Sequence, residues 1–381
     1  MHEPAKISMY DLIERNAVFE IPDYQRNYDW KIENVKRLLE DIEKIIKKYK
    51  ENPHQNYNHF FGVIIDVQEY RAGLKADEPT SYIIIDGQQR ITTVMILLKA
   101  LLVILNNKEC DNEELLVKNN IKEILENKSE KYKIKLKQVS GDDEVFYTLM
   151  NVDKNDEYVL SNIESEICKN YKKCKLELNS WLEKGHRAKD ILEAIKKLIV
   201  VEIMLDENDD PQVVFESVNS TGKSLSNSDL IRNFLLMGVV KKEDRERCYK
   251  KWQNIEESLV DDYWLNLFFF HLLIFKNNSI VKKKYLYEAF KKCYENADSK
   301  EDIIDDIYKY FDIYEFFIWG DQITSEYPDA IHIRLSKNAR EYAQIRCYLD
   351  DILEIDQTTC YPFLLHIFED YINNKIDFEI L

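Results

Sequence analysis

The chain has 381 residues, with 53 Lys+Arg against 70 Asp+Glu, a formal charge of −17 and a pI near 5.0. That balance excludes a whole-surface nucleic-acid binder, although a local basic groove stays open because attraction depends on where the charge sits. The length allows two domains with a sizeable core, and seven scattered cysteines without a C-x-x-C read as ordinary free thiols in a reducing cytosol.

In chain order, residues 8–17 read as a short helix and Val18-Phe19-Glu20-Ile21 as an extended piece. The loop Pro22-Asp23-Tyr24-Gln25-Arg26-Asn27-Tyr28-Asp29-Trp30 follows. Two readings fit it: an aromatic plug with a surface arginine, or a ligand site with Gln25 and Arg26 beside the ligand and Tyr24, Tyr28 or Trp30 as a wall. Residues 31–50 form an amphipathic helix whose lysine-rich side is a solvated face. Phe60–Val67 is a strand, and residues 68–80, with Gly73 and Pro79, form a polar loop.

The stretch from Ser81 to Thr93 is the most informative. Ile83, Ile84 and Ile85 make a strand buried on both faces. Gly87 permits a sharp turn. Ile91, Val94, Met95, Leu98, Leu101, Leu102 and Leu105 then recur at helical spacing. Asp86, Gln88, Gln89 and Arg90 therefore occupy a strand-to-helix junction, with Thr92 and Thr93 in the first turn. Free backbone N–H groups and the positive end of a helix dipole suit a phosphate there. Arg90 adds a planar fork of donors that grips an anion bidentately. A plain turn needs a glycine but not two glutamines, an arginine and two threonines.

Residues 106–130 read as surface loop and helix. Lys131-Tyr132-Lys133-Ile134-Lys135-Leu136-Lys137 alternates strictly, which predicts a half-exposed strand with a basic face. That face fits a phosphate backbone or the lysine protection of an edge strand. Residues 142–195 are helical, and Leu198–Leu205 is a third buried strand. A helix over 212–218 leads to Asn219-Ser220-Thr221-Gly222-Lys223-Ser224-Leu225. Ser226 and Asp229 fit a capping box with Leu225 and Leu230 as its staple; Asn219, Gly222, Arg232 and Asn233 are left unexplained by it. Thr221-Gly222-Lys223-Ser224 is not a P-loop, because the full pattern needs glycine at 217, where the chain has Ser217.

Beyond 240 come aromatic-rich amphipathic helices at Tyr263–Phe275, Lys283–Tyr294, Ile303–Trp319 and Ala339–Leu353. His271, His332 and His366 are isolated and read as packing or surface residues. The chain stops on apolar Ile380-Leu381, which points to a cut between domains. Eight glycines and seven prolines predict few tight hairpins. No signal peptide is visible and no apolar run reaches about 20 residues, so a cytoplasmic location and no membrane partner are expected.

Three stretches together carry a resemblance: Ile21-Pro22-x-Tyr24-Gln25-Arg26-x-Tyr28-x-Trp30, Asp86-Gly87-Gln88-Gln89-Arg90-x-Thr92-Thr93, and Phe215-Glu216-x-x-Asn219-x-x-Gly222-x-x-Leu225-x-x-x-Asp229-Leu230-Ile231-Arg232-Asn233. In that order they resemble the GmrS-type N-terminal domain of modification-dependent (type IV) restriction systems and their phage-defence relatives. The resemblance implies an α+β chain: a ParB/sulfiredoxin-like mixed sheet with helices over residues 1–240, carrying a helical insertion at about 106–197, then a mostly helical domain over 241–381.

It further implies that the Asp-Gly-Gln-Gln-Arg loop binds a nucleoside triphosphate with Mg²⁺, in a triphosphatase coupled to cleavage of modified or foreign DNA. Asp86, Gln88, Gln89 and Arg90 would be catalytic. Tyr24, Gln25, Arg26, Gly87, Thr92, Thr93, Asn219, Gly222, Asp229 and Asn233 would bind the nucleotide, with Arg90 and Arg26 on phosphate, Gln88 or Gln89 on a water, and Asp86 or Asp229 on the metal. The family nuclease is a separate HNH-type domain, downstream or on a partner chain, and a homo-oligomer is compatible with this. Sulfiredoxins carry a catalytic cysteine in the corresponding loop; this one has none, which excludes thiol redox chemistry. The alternative is a non-catalytic module that reads modified DNA through the same pocket.

Overall fold

The computed structural model describes residues 3–52, 57–69, 78–129, 133–152, 163–206, 209–219, 226–237, 239, 242–259, 261–319, 339–355 and 357–380. They form two compact units, residues 1–217 and 218–381. The class is α+β, as the sequence predicts.

The first unit runs β1 (Ala5–Ser8), α1 (Met9–Glu14), β2 (Ala17–Glu20), α2 (Ile32–Glu51), β3 (His59–Glu69), β4 (Thr80–Asp86), α3 (Gln88–Asn106), α4 (Asn112–Leu125), β5 (Leu136–Lys137), α5 (Ser140–Asn151), α6 (Glu166–Glu183), α7 (Ala188–Ile195), β6 (Leu198–Leu205) and α8 (Pro211–Asn219), whose last two residues pass into the second. The strands make one mixed sheet in the order β1-β6-β3-β4-β2-β5. β3 pairs parallel with β6 and antiparallel with β4, and β4 pairs parallel with β2.

α3 is the centre of the unit. Every residue from Gln88 to Leu105 except Arg90 is buried, because α4 and α6 pack on it and its apolar residues run round the whole helix. Its 19 residues are long and apolar enough to cross a membrane, but 94% of that window is buried inside the unit, as in a core helix. α4, expected at the surface, buries Val117, Ile121, Ile124 and Leu125 in the same cluster.

Two sequence expectations are corrected here. Ala5–Ser8, unassigned in sequence, is an edge strand paired with Ile199–Glu202, and the helix after it is confined to Met9–Glu14. The lysine-faced strand over 131–137 does not form as expected. Among its described residues only Leu136 and Lys137 join the sheet. Lys135 turns inward, and its Nζ donates to the carbonyls of Ile13, Glu14 and Arg15 at 3.0, 3.0 and 2.8 Å. Those carbonyls end α1, where the last turn lacks helical donors, and the buried ammonium bonds all three, the Arg15 carbonyl also accepting from Ala17 N at 2.8 Å. Lys133 and Lys137 pair with Glu126 and Glu20, so the basic face is neutralised. Lys131 and Tyr132 lie outside the described residues, as does most of the 68–80 loop.

The second unit contains α9 (Asn227–Leu236), α10 (Lys242–Leu259), α11 (Asp262–Asn277), α12 (Leu286–Cys293), α13 (Lys300–Trp319), α14 (Ala339–Glu354) and α15 (Tyr361–Ile372). The sequence places the domain boundary at 240, whereas the compact units divide at 217/218, because α9 packs against α10, α11, α12 and α13. The core is aromatic, with Trp252 stacked on Phe269 at 5.8 Å and Phe268 against Tyr314 at 5.1 Å. His271 bonds the Tyr314 hydroxyl at 3.0 Å, and burial pushes its pKa down to about 3, so it is a neutral packing residue. His366 packs on Phe275; His332 lies outside the described residues.

Candidate functional site

β4 ends at Asp86, and the chain reverses into α3 through Gly87, whose φ of +99° is left-handed and disfavours a side chain. A Cβ at Gly87 would overlap the Ile64 side chain and sit 3.1 Å from the Val63 carbonyl, so glycine also lets the helix start press onto β3. The Gly87 carbonyl takes the first helical bonds, from Arg90 N at 3.0 Å and Ile91 N at 3.2 Å.

Arg90 is the one residue of the first turn that escapes burial, with its side chain 30% exposed. Its Nη1 donates to the Val63 carbonyl at 3.0 Å and stands 3.7 Å from Asp86 Oδ2. Burial raises the Asp86 pKa above the ordinary carboxylate range, against the opposing pull of Arg90, the Gly87 N–H and Arg26. A half-buried carboxylate thus lies in the field of two guanidiniums, with Asp29 balancing the charge of Arg26, and the guanidinium donors at this mouth suit an anion.

The Pro22–Trp30 loop is fastened to this junction. Gln25 Nε2 donates to the Ile85 carbonyl at 2.9 Å, and Gln88 Nε2 lies 3.4 Å from Gln25 Oε1. Gln89 Oε1 accepts from Asp29 N and Trp30 N at 3.0 and 3.3 Å, while its Nε2 donates to the Asn27 carbonyl at 3.1 Å. Arg26 is half-buried, with Nη1 on Asp29 Oδ2 at 3.0 Å. The structure therefore brings Gln25, Arg26, Asp86, Gly87, Gln88 and Arg90 together, with Tyr24 buried in the same loop.

Three expectations need correcting. The Thr92 and Thr93 hydroxyls do not face a nucleotide: Thr92 accepts from Gln138 Nε2 at 2.8 Å, and Thr93 lies 2.8 Å from the Tyr28 hydroxyl and donates to the Gln89 carbonyl. Both are inside the core because the helix that carries them is buried all round. Tyr28 is no pocket wall, for Asn170 Nδ2 donates to its hydroxyl from within the same core. Gln89 is a clamp on loop backbone, its amide occupied at both ends.

In the second unit, Ser226 and Asp229 form the expected capping box: Ser226 Oγ accepts from Asp229 N at 3.1 Å, and Asp229 Oδ2 from Ser226 N at 3.4 Å. Arg232 pairs with Glu256 and lies over the Trp252 ring. Asn233 is buried. The Asn219 side chain, Gly222 and Leu225 lie outside the described residues.

Sequence reasoning missed Asp142, whose carboxylate accepts from Tyr28 N at 2.5 Å, and Asn170, which donates to the Trp30 carbonyl. Neither carries a local signal. It also missed Gly62, although an isolated glycine in a strand does signal a bulge or a close backbone approach.

A metal would have Asp86 as its carboxylate at this junction; among the described residues no cluster of three or more His, Cys, Asp or Glu side chains is placed to hold one. One carboxylate fits Mg²⁺ held chiefly by phosphate oxygens. Comparison with curated proteins gives no match. The family model for the GmrSD restriction endonuclease, N-terminal domain, matches residues 8–236 and so spans the loop, the junction and the α9 cap. The chain therefore belongs to the GmrSD restriction endonuclease family, through its N-terminal domain.

Proposed function

We propose that the β4–α3 junction binds the phosphates of a nucleoside triphosphate, and that the chain is the nucleotide-responsive part of a DNA-targeting restriction system. The observation that carries this reading is the set of groups around Asp86: a left-handed glycine at a helix start, with Arg90 beside the carboxylate and Arg26, paired to Asp29, near enough for its charge to act on it. Arg90 and Arg26 act as the phosphate ligands, and Gln25 with Gln88 orders the approach to them. Asp86 is the residue to orient Arg90 or take a proton from water. Bound Mg²⁺ would neutralise triphosphate charge. The cutting of DNA belongs to an HNH-type nuclease outside residues 1–381, and modified or foreign DNA is the target.

A second reading, binding without hydrolysis, is favoured by one observation. Gln89, Thr92 and Thr93 are engaged inside the unit, which leaves Asp86 and Gln88 as the groups of the motif that could handle water. Phosphate release by the purified chain with each nucleoside triphosphate, with and without DNA, separates the two. Turnover that Asp86→Asn abolishes supports hydrolysis. Tight binding without release supports the recruitment module.

A further inference from the structure

The β3–β6 pairing slips by one residue between Phe60 and Gly62, and Gly62 has a φ of +122°. Of the three positive-φ glycines among the described residues, Gly62 and Gly87 both lie against the Arg90 end of α3. A Cβ built on residue 62 would stand 2.6 Å from Arg90 Nε, 2.8 Å from Cζ and 3.1 Å from Nη2. The guanidinium therefore lies flat over the bulge, with its Nε–Cζ–Nη2 edge across the Gly62 α-carbon.

That edge is the informative part. Nη1 is bonded to the Val63 carbonyl and faces Asp86. Among the described residues, Nε and Nη2 make no hydrogen bond. An arginine held by one nitrogen, with its Nε/Nη2 edge unused, presents two parallel donors matched to two oxygens of one tetrahedral anion. The bulge serves two purposes: its carbonyl fixes Nη1, and its missing side chain leaves room for the edge.

We infer that Gly62 is a positioning residue, which sets the Nε/Nη2 edge of Arg90 to grip two oxygens of one phosphoryl group. This rests on the phosphate reading of the junction. Any side chain at 62 lifts the guanidinium off the bulge and breaks the two-donor match, whereas lysine at 90 keeps the charge but has no such edge.

The test is a double-mutant cycle on the full chain with Gly62→Ala, Arg90→Ala, both together, and Arg90→Lys. Affinity for ATP, GTP, CTP and UTP is read by equilibrium dialysis, and melting temperature on the same preparations. Gly62→Ala and Arg90→Ala should each weaken binding about ten- to a hundredfold, with the double variant no weaker than Arg90→Ala, and Arg90→Lys should not restore it. The melting-temperature loss from Gly62→Ala should shrink but not vanish once Arg90 is alanine, since the clash with the guanidinium is gone while the φ of +122° still strains an alanine. Parent-like binding by Gly62→Ala overturns the inference. So do fully additive losses, or Gly62→Ala failing to fold in both backgrounds. Parent-like binding by Arg90→Ala contradicts instead the phosphate reading, while the melting-temperature cycle still decides whether Gly62 holds Arg90.

Discussion

The carboxylates of Asp66 and Glu202 lie together inside the sheet of the first unit, and Glu202 alone has a cation. Arg15 reaches Glu202 with both terminal nitrogens, at 2.5 and 2.7 Å, while both Asp66 oxygens are buried without a donor. Burial, reinforced by the Glu202 charge and opposed by Arg15, pushes the Asp66 pKa up from 3.8 to about 8. Asp66 thus keeps its proton well above the ordinary carboxylate range and can donate it to Glu202.

The sign of the pH dependence follows. Between about 4 and about 8 the folded state holds a proton on Asp66 that the unfolded state has lost, so stability falls as pH rises through that window and levels off above it. Urea unfolding at pH 5, 6, 7 and 8 checks this against Asp66→Asn, whose amide mimics the neutral acid. The variant should flatten the profile and gain on the parent as pH rises. A variant that keeps the parental slope contradicts the assignment.

Gln89→Ala should destabilise the first unit by roughly 1–3 kcal/mol, because Asp29 N, Trp30 N and the Asn27 carbonyl lose a partner. Its loop also carries Arg26, so triphosphate binding should weaken with it. Denaturant midpoints and binding on the same sample report both.

Tyr28→Phe should cost about 1 kcal/mol and leave binding unchanged. Thr93 keeps its bond to the Gln89 carbonyl and Asn170 its bond to the Trp30 carbonyl, so neither is orphaned. Loss of binding at unchanged stability would return Tyr28 to the ligand wall.

Asp229→Ala should cost about 1 kcal/mol as the loss of a helix cap, with nucleotide handling intact. Loss of turnover at an unchanged melting temperature would give Asp229 a role beyond the cap.

What the sequence reveals here depends on range. The β4–α3 junction is legible because three isoleucines, a glycine and a helical apolar repeat are contiguous. The Ser226–Asp229 cap is legible for the same reason, its partners standing three residues apart. The roles of Gln89, Thr93 and Tyr28 are not, since their partners lie some 60 to 142 residues away and leave no local trace. The 131–137 segment misleads because alternation records only that one face differs from the other. The end of α1, far away in sequence, draws Lys135 into the interior. Asp66 and Glu202 are each flanked by apolar residues in their strands, and only the register of β3 against β6 brings them together.

The measurement that bears most directly on the phosphate site is equilibrium binding of nucleoside triphosphate by the full chain and its Arg90→Ala variant, with melting temperatures alongside. Binding by the parent is expected, with a loss of about 1.5–3 kcal/mol in the variant, the size of a charge-assisted contact, in a protein that still melts cooperatively. Equal affinity in a folded Arg90→Ala chain would contradict it.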